Sequence, residues 1–312
     1  MDLEQKINNI IRVIVASLSF SLLESLKDKT SLKLTGVAFV VYAIFAALML
    51  VIVASLLAPL ETISASANPQ LIINMIIGLY ATLAIFIIPL AIILTVINYW
   101  MIGRALKVSK RKYAPLTVIK FIKFILLSLA IGIIAFFSLY NIKWLWMLVI
   151  GAALSIGGAI MIAIGNLTGI GLMVLGVFVI ILYGIVILYN TLRLLIAEAI
   201  FVEGEGIINS LKKSWVITKG NGWELFFSRG VFIFVILIIT GICLAPSFIY
   251  SFMYMASTMM LGGNPSAMAG MNYLTDPGYL IAILPSYLAS AYAILAGSWF
   301  TVGLYNVLTK KK

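Results

Sequence analysis

Gly230 to Met255 read GVFIFVILIITGICLAPSFIYSFMYM, an unbroken apolar run with no charged side chain. A membrane-crossing helix needs about 20 predominantly apolar residues, and this run exceeds that length. A buried strand would be shorter, and a barrel strand would alternate apolar with polar residues, so the run reads as a spanning helix. Working outward, five further stretches satisfy the same rule: residues 36–58, 71–97, 118–140, 171–197 and 279–305. The chain is 63% apolar and 10% charged, with mean hydropathy +1.18. A soluble domain is roughly half apolar and a quarter charged. The predicted fold is therefore all-α, a polytopic transmembrane bundle of six spans in three hairpins. Residues 1–35 are expected to form an interfacial amphipathic segment, and residues 36–312 a single transmembrane domain.

Net charge +11 would suggest nucleic acid in a soluble chain, so the placement of the charges decides its meaning. The cations form four groups. Lys6, Arg12, Lys27, Lys29 and Lys33 come first, and Arg104, Lys107, Lys110, Arg111, Lys112, Lys120 and Lys123 second. Arg193, Lys212, Lys213, Lys219 and Arg229 make the third, and Lys310, Lys311 and Lys312 the last. Only Lys143 stands apart. The connections from Glu61 to Gln70 and from Ser257 to Asp276 hold no lysine or arginine. That asymmetry is the signature of outward and inward loops, and it places both termini in the cytoplasm with no role for nucleic acid. The first thirty-five residues mix charges throughout, so no cleaved signal peptide is expected.

The apolar stretch Trp144 to Gly165 is long enough to span, but a full crossing would move the third and fourth basic groups outside. Its glycines Gly151, Gly157, Gly158 and Gly165 lead us to expect a re-entrant or interfacial hairpin, with an extra span as the alternative. At the N-terminus, Leu3, Ile7, Ile10, Ile11, Ile14, Leu18 and Leu22 follow helical spacing, with Glu4, Lys6, Asn8 and Arg12 on other faces. This helix is expected to lie along the inner membrane surface. A short pattern recurs three times, as Ser25-Leu26-Lys27, Ala105-Leu106-Lys107 and Ser210-Leu211-Lys212, each ahead of a hairpin. It predicts three basic amphipathic helices on the inner side. Trp100, Trp144, Trp146, Trp215, Trp223 and Trp299 mostly flank the apolar runs, where interfacial anchoring is the expectation.

Little in the chain suits catalysis. Histidine is absent and Cys243 is the sole cysteine, which removes the commonest general base, the commonest metal ligand and any disulfide within the chain. No catalytic residue, metal site or cofactor is predicted. Arg193 and Glu198 fall near the end of a span and are expected to pair partly or to reach toward the inner interface. Asn74, Asn98 and Asn190 are read as interhelical hydrogen-bonding groups. Pro89, Pro246 and Pro285 are expected to kink their spans, and Pro246-Ser247-Phe248 resembles Pro285-Ser286-Tyr287. Breaks of that kind line substrate paths in some transporters and merely shape bundles in others. Gly165, Gly169 and Gly171 have no strand before them and read as sites of close helix approach. Glu203 and Glu205, flanking Gly204, precede an amphipathic helix whose N-terminal dipole they favour; a carboxylate pair for catalysis is the less economical reading. Arg104, Lys107, Lys110, Arg111, Lys112, Lys212 and Lys213 are the candidate headgroup-binding residues.

The stretch from Ile196 to Gly220 carries a further pattern: Glu203-Gly204, then Ser210-Leu211-Lys212-Lys213-Ser214-Trp215, then Lys219-Gly220. It resembles the inner connecting stretch of the glycerophosphoryl diester phosphodiesterase membrane-domain-like proteins. The resemblance implies a six-span bundle with inner amphipathic helices. It does not imply phosphodiesterase activity, because the soluble domain and the histidines of that chemistry are missing. The resulting expectation is a non-enzymatic bundle of the cell membrane that organises or senses lipid through anionic headgroups. A transporter or channel for small solutes or lipids is the alternative, and a histidine-free membrane enzyme the third reading. Self-association or a membrane-protein partner is compatible with the glycine-rich spans.

Overall fold

The computed structural model describes residues 3–57, 69–137, 144–260 and 276–310. Among them helices joined by short connections make up the chain, and there is no strand. The helices are α1 (Leu3–Leu18), α2 (Ser25–Lys27), α3 (Lys29–Leu57), α4 (Pro69–Val108), α5 (Val118–Phe136), α6 (Leu145–Ala163), α7 (Thr168–Leu194), α8 (Ala197–Glu203), α9 (Ile207–Ile217), α10 (Gly222–Met260) and α11 (Pro277–Lys310). A π-helical segment, Ser19–Glu24, joins α1 to α2. Among the described residues eight helical stretches are long and apolar enough to cross a membrane, and the protein is a multi-pass helical membrane protein.

The two stretches beyond the expected six are Glu4–Lys27 and Leu145–Ala163. The first reaches Asp28, where the backbone turns extended (φ −85°, ψ 102°) and α3 starts at once. The helix that carries the apolar run 36–58 therefore begins at Lys29. In the second, the glycine-rich stretch itself holds no break. Leu145–Ala163 is one continuous helix, turned back by Gly165 (φ +82°) to lie along α7. Small residues decide this pairing. Gly151 and Gly158 lie two turns apart on α6, Gly169 and Gly176 two turns apart on α7, and each is in backbone contact across the hairpin.

The three copies of the repeated tripeptide occupy different elements. One is α2, one is the last turn of α4, and only the third lies in a separate amphipathic helix, α9. Nothing between Trp100 and Val108 breaks a helix, so α4 runs on through the second copy. What the copies share is burial: Ser25, Ala105 and Ser210 are buried and the following lysines exposed. The apolar face of α1 points outward at Ile7, Ile11 and Val15, as a lipid-facing helix requires. Its opposite side is buried at Val13 and Ser17. In the π segment and α2 that follow, Ser21 and Ser25 are buried.

The chain forms two compact units. Unit 1 comprises Met1–Leu18, Ala105–Val231 and Phe300–Lys312; unit 2 comprises Ser19–Arg104 and Phe232–Trp299. In unit 2 the indole of Trp299 is fully buried, stacks at a tilt on Phe20 at 5.0 Å and donates to Ser31 Oγ at 3.3 Å. Trp299 is thus a core residue, which corrects its reading as an interfacial anchor. Trp100, Trp144, Trp146 and Trp223 keep exposed rings. Ser298 donates to Asn98 Oδ1 at 2.6 Å, an interhelical bond of the expected kind. Pro246 and Pro285 both sit inside unbroken helices. After each, the serine hydroxyl donates three residues back, Ser247 to Leu244 O and Ser286 to Ile283 O, and a second serine donates to that serine's carbonyl. Pro89 likewise lies within continuous α4. The lysine-free connections fall almost wholly outside the described residues, as do Lys143, Lys311, Lys312 and the side chain of Asn74.

Candidate functional site

In unit 1, α8 and α9 are held by bonds that follow from where the helices stop. Helix α8 ends at Gly204 (φ +128°), whose N–H donates to Phe201 O while Glu205 N–H reaches Ile200 O. A side chain at that φ would be strained, so glycine belongs there. Helix α9 then presents Ser210, Leu211 and Ser214 inward and Lys212 and Lys213 outward. Helix α7 ends at Leu194, which leaves its last carbonyls without helical donors. Ser214 Oγ and Thr218 Oγ1 supply them, donating to the Arg193 carbonyl at 2.7 and 3.2 Å. The motif serine is therefore a clamp on the preceding span, and any larger residue there would hold α9 away.

Arg193 itself is buried. Its guanidinium stacks 3.8 Å above the Trp215 ring and donates from NH2 to Trp215 O at 2.5 Å. Longer bonds run from Nε to Thr218 Oγ1 and from NH1 to Tyr189 OH, both at 3.4 Å. Glu198 is not its partner: that carboxylate accepts from Ser128 Oγ at 3.1 Å. The break at Leu195–Ile196 turns the two side chains apart, so the spacing of a continuous helix does not apply.

Arg111 is consumed by an internal network that also draws on α11. Lys110 takes a left-handed conformation (φ 59°), its N–H donating to Lys107 O while Arg111 N–H donates to Leu106 O at 2.9 Å. This is a Schellman ending of α4, with lysine where glycine is usual. It aims Arg111 at Asn306 Oδ1 (2.6 Å), Glu203 Oε1 (3.2 Å) and the Thr309 hydroxyl, with the guanidinium 4.1 Å above the Tyr305 ring. Tyr305 OH donates to Glu203 Oε2 at 2.5 Å, and Asn306 Nδ2 donates to Ser109 Oγ at 2.8 Å. Glu203 thus accepts a phenol and a guanidinium, the arrangement of a structural tie between loop and terminal helix. Tyr305, Asn306 and Thr309 carried no motif; their only signal was polar groups at helical spacing in the last turns of an apolar helix.

In unit 2, Asp28 ties the start of α3 to Arg104. Its carboxylate accepts from Arg104 Nε and NH2, the latter at 2.7 Å, and from Ser31 N–H at 2.9 Å, which makes it the N-cap of α3. Burial pushes the Asp28 carboxyl up, but the hydrogen bonds from Arg104 and Ser31 outweigh it and hold the group below the ordinary carboxylate range. On α9, the Lys213 ammonium binds Glu205 and holds that carboxyl below the ordinary range.

Of the seven candidate headgroup-binding residues, Arg104, Arg111 and Lys213 therefore have acidic partners. Lys107, Lys110, Lys112 and Lys212 are exposed and have no acidic partner among the described residues. Asn190 is buried in α7. No group of histidine, cysteine or carboxylate ligands able to hold a metal occurs among the described residues. The chain matches no curated protein sequence and no solved structure. Residues 21–299 match the family described as a domain of unknown function (DUF7847), and with most of its length inside that match the chain belongs to this family.

Proposed function

We propose that the protein is a non-enzymatic membrane bundle that gathers anionic lipid at its cytoplasmic face. The observation that carries this reading is the division of labour among the cations. The arginines Arg104 and Arg111 are locked into internal ties, while Lys107, Lys110, Lys112 and Lys212 project outward with no acidic neighbour to neutralise them. Each such lysine near an anionic leaflet contributes about 1 kcal/mol of attraction, falling off within a Debye length. The resemblance of Glu203–Gly220 to the inner connecting stretch of the phosphodiesterase membrane-domain-like proteins supports the same orientation, with termini and basic groups inside. The unbroken helices around Pro246 and Pro285 offer no unwound segment of the kind on which solute transport relies.

The test uses the full chain in nanodiscs of mixed phosphatidylcholine and phosphatidylglycerol, with the lipid composition around the protein read by mass spectrometry. Phosphatidylglycerol enrichment is expected to fall when all four lysines are replaced by glutamine, and to fall with added salt. Enrichment that ignores both changes overturns the reading. So does solute flux in proteoliposomes that is lost on replacing Pro246 and Pro285.

A further inference from the structure

A cavity of about 410 Å³ opens in unit 1, lined by Trp144, Ile185, Val186, Tyr189, Asn190, Arg193 and Trp215. Five of these lie on one face of α7, spaced so that Arg193 and Ile185 sit about 12 Å apart along the helix axis. The cavity is thus graded: a guanidinium at one end with the Trp215 and Tyr189 rings against it, and an aliphatic wall at the other, with Trp144 also in the lining. Ile185, Tyr189 and Trp144 are exposed, so the cavity opens on the outer surface of the helices, where lipid lies.

Its charged end is incomplete. Arg193 is 8% exposed, and none of the ion pairs among the described residues includes it. The acids of α8 and the turn after it are committed elsewhere, Glu198 to Ser128, Glu203 to Arg111 and Tyr305, Glu205 to Lys213, and the buried Glu224 at the start of α10 forms no ion pair with Arg193. A guanidinium has five N–H donors. Three of them meet Thr218, Tyr189 and Trp215, two over the long distance of 3.4 Å, which leaves one N–H on each terminal nitrogen. A buried cation without a counter-ion is costly, and the remaining guanidinium N–H groups are donors of the kind that receive an oxyanion.

We infer that this cavity binds one anionic amphiphile, its carboxylate or phosphate oxygens on Arg193 and its chain along Ile185 and Val186. The site is separate from the exposed lysines and does not depend on them. Those lysines act at the surface through a screened field; Arg193 acts in a cavity, by direct hydrogen bonding to one ligand.

Native mass spectrometry of the full-length protein in mild detergent tests this, with phosphatidylglycerol, phosphatidylcholine and inorganic phosphate as probes. Wild type is expected to keep one phosphatidylglycerol and no phosphatidylcholine, and excess phosphate to leave the lipid in place. Arg193→Gln is expected to weaken retention about tenfold. Val186→Trp fills the aliphatic end without touching the arginine, stays informative should Arg193→Gln fail to fold, and is expected to weaken it similarly. The glutamine variant of the four exposed lysines is expected to retain the lipid, which separates this site from surface enrichment. Unchanged retention in Val186→Trp, or in folded Arg193→Gln, overturns the assignment. Displacement by inorganic phosphate overturns the lipid as the ligand and makes the cavity a site for a free oxyanion.

Discussion

Gly158 and Gly169 meet backbone to backbone across the α6–α7 hairpin, so closely that a β-carbon built on Gly158 would lie 2.6 Å from the Gly169 carbonyl oxygen. In lipid no hydrophobic force draws two apolar helices together, and close backbone approach supplies the contact instead. A methyl group at Gly158, or at Gly176, where it would lie 2.7 Å from Gly151 O, must push the helices apart. Gly158→Ala and Gly176→Ala are expected to lower stability by about 1–3 kcal/mol. Gly157 and Gly171 provide internal controls, since nothing lies within 4 Å of a β-carbon there. Alanine at either should be neutral or stabilising by up to about 1 kcal/mol, through helix propensity. Thermal unfolding in detergent separates the two pairs; equal effects would show that the hairpin is not held by its glycines.

Asp28 joins a helix cap to an ion pair with Arg104, and its titration should set the acid limit of unit 2. Its carboxyl is depressed in the folded protein, so the stabilisation is fully present above the unfolded carboxylate value of roughly 4. It is lost as pH falls through the lower folded value. Asp28→Asn is expected to cost about 1–3 kcal/mol at neutral pH and to flatten the decline of melting temperature below about pH 4. A variant that melts like wild type at neutral pH would remove the tie from the account of stability.

Lys110 holds a left-handed conformation that costs an ordinary residue about 1 kcal/mol relative to glycine. Lys110→Gly is expected to raise stability, by up to that amount, while removing one exposed cation. Melting temperature should therefore rise as phosphatidylglycerol enrichment falls slightly. A loss of stability would mean that the lysine chain contributes more than its backbone costs.

The long apolar helices were legible because their signal is local: twenty apolar residues in a row leave the backbone one way to satisfy its hydrogen bonds in lipid. Gly169 was legible as a close-approach site, but Gly165, read with it, makes the turn, and Gly171 has nothing within 4 Å of a β-carbon; Gly151 and Gly158 were read as marks of a hairpin instead. Gly176 was missed although it follows Gly169 by the same seven residues that separate Gly151 from Gly158. The basic run from Arg104 to Lys112 could not be divided by inspection into internal and external cations. That division is made by Asp28, 76 residues before Arg104, and by Glu203, 92 residues after Arg111. Composition records a charge, and only tertiary structure records what neutralises it. Of the two readings of Arg193, pairing with Glu198 failed for a local reason instead: it assumes a continuous helix, and α7 stops at Leu194.

The same hairpin makes a prediction about sidedness. Trp144, Asn190 and Arg193 line one cavity, so the start of α6 and the end of α7 lie together. The turn at Gly165 lies at the other end, a 19-residue helix away, a rise of about 28 Å that matches a bilayer core. If the cationic groups at the start of α5 and at the end of α7 both face the cytoplasm, this turn lies outside and α5 completes no crossing of its own, because α6 then starts on the side where α5 begins. Leu167 is the position for a probe, because it is exposed while the Asn166 carboxamide caps α7 by accepting from Thr168 N–H at 3.0 Å. In a Cys243→Ser background, Leu167→Cys is expected to react with a membrane-impermeant maleimide applied to intact cells. Lys219→Cys, beyond α9 and in the third basic group, should react only after the cells are opened. Labelling of both from the same side would mean that α6 and α7 do not cross, and would return the glycine-rich stretch to the membrane surface.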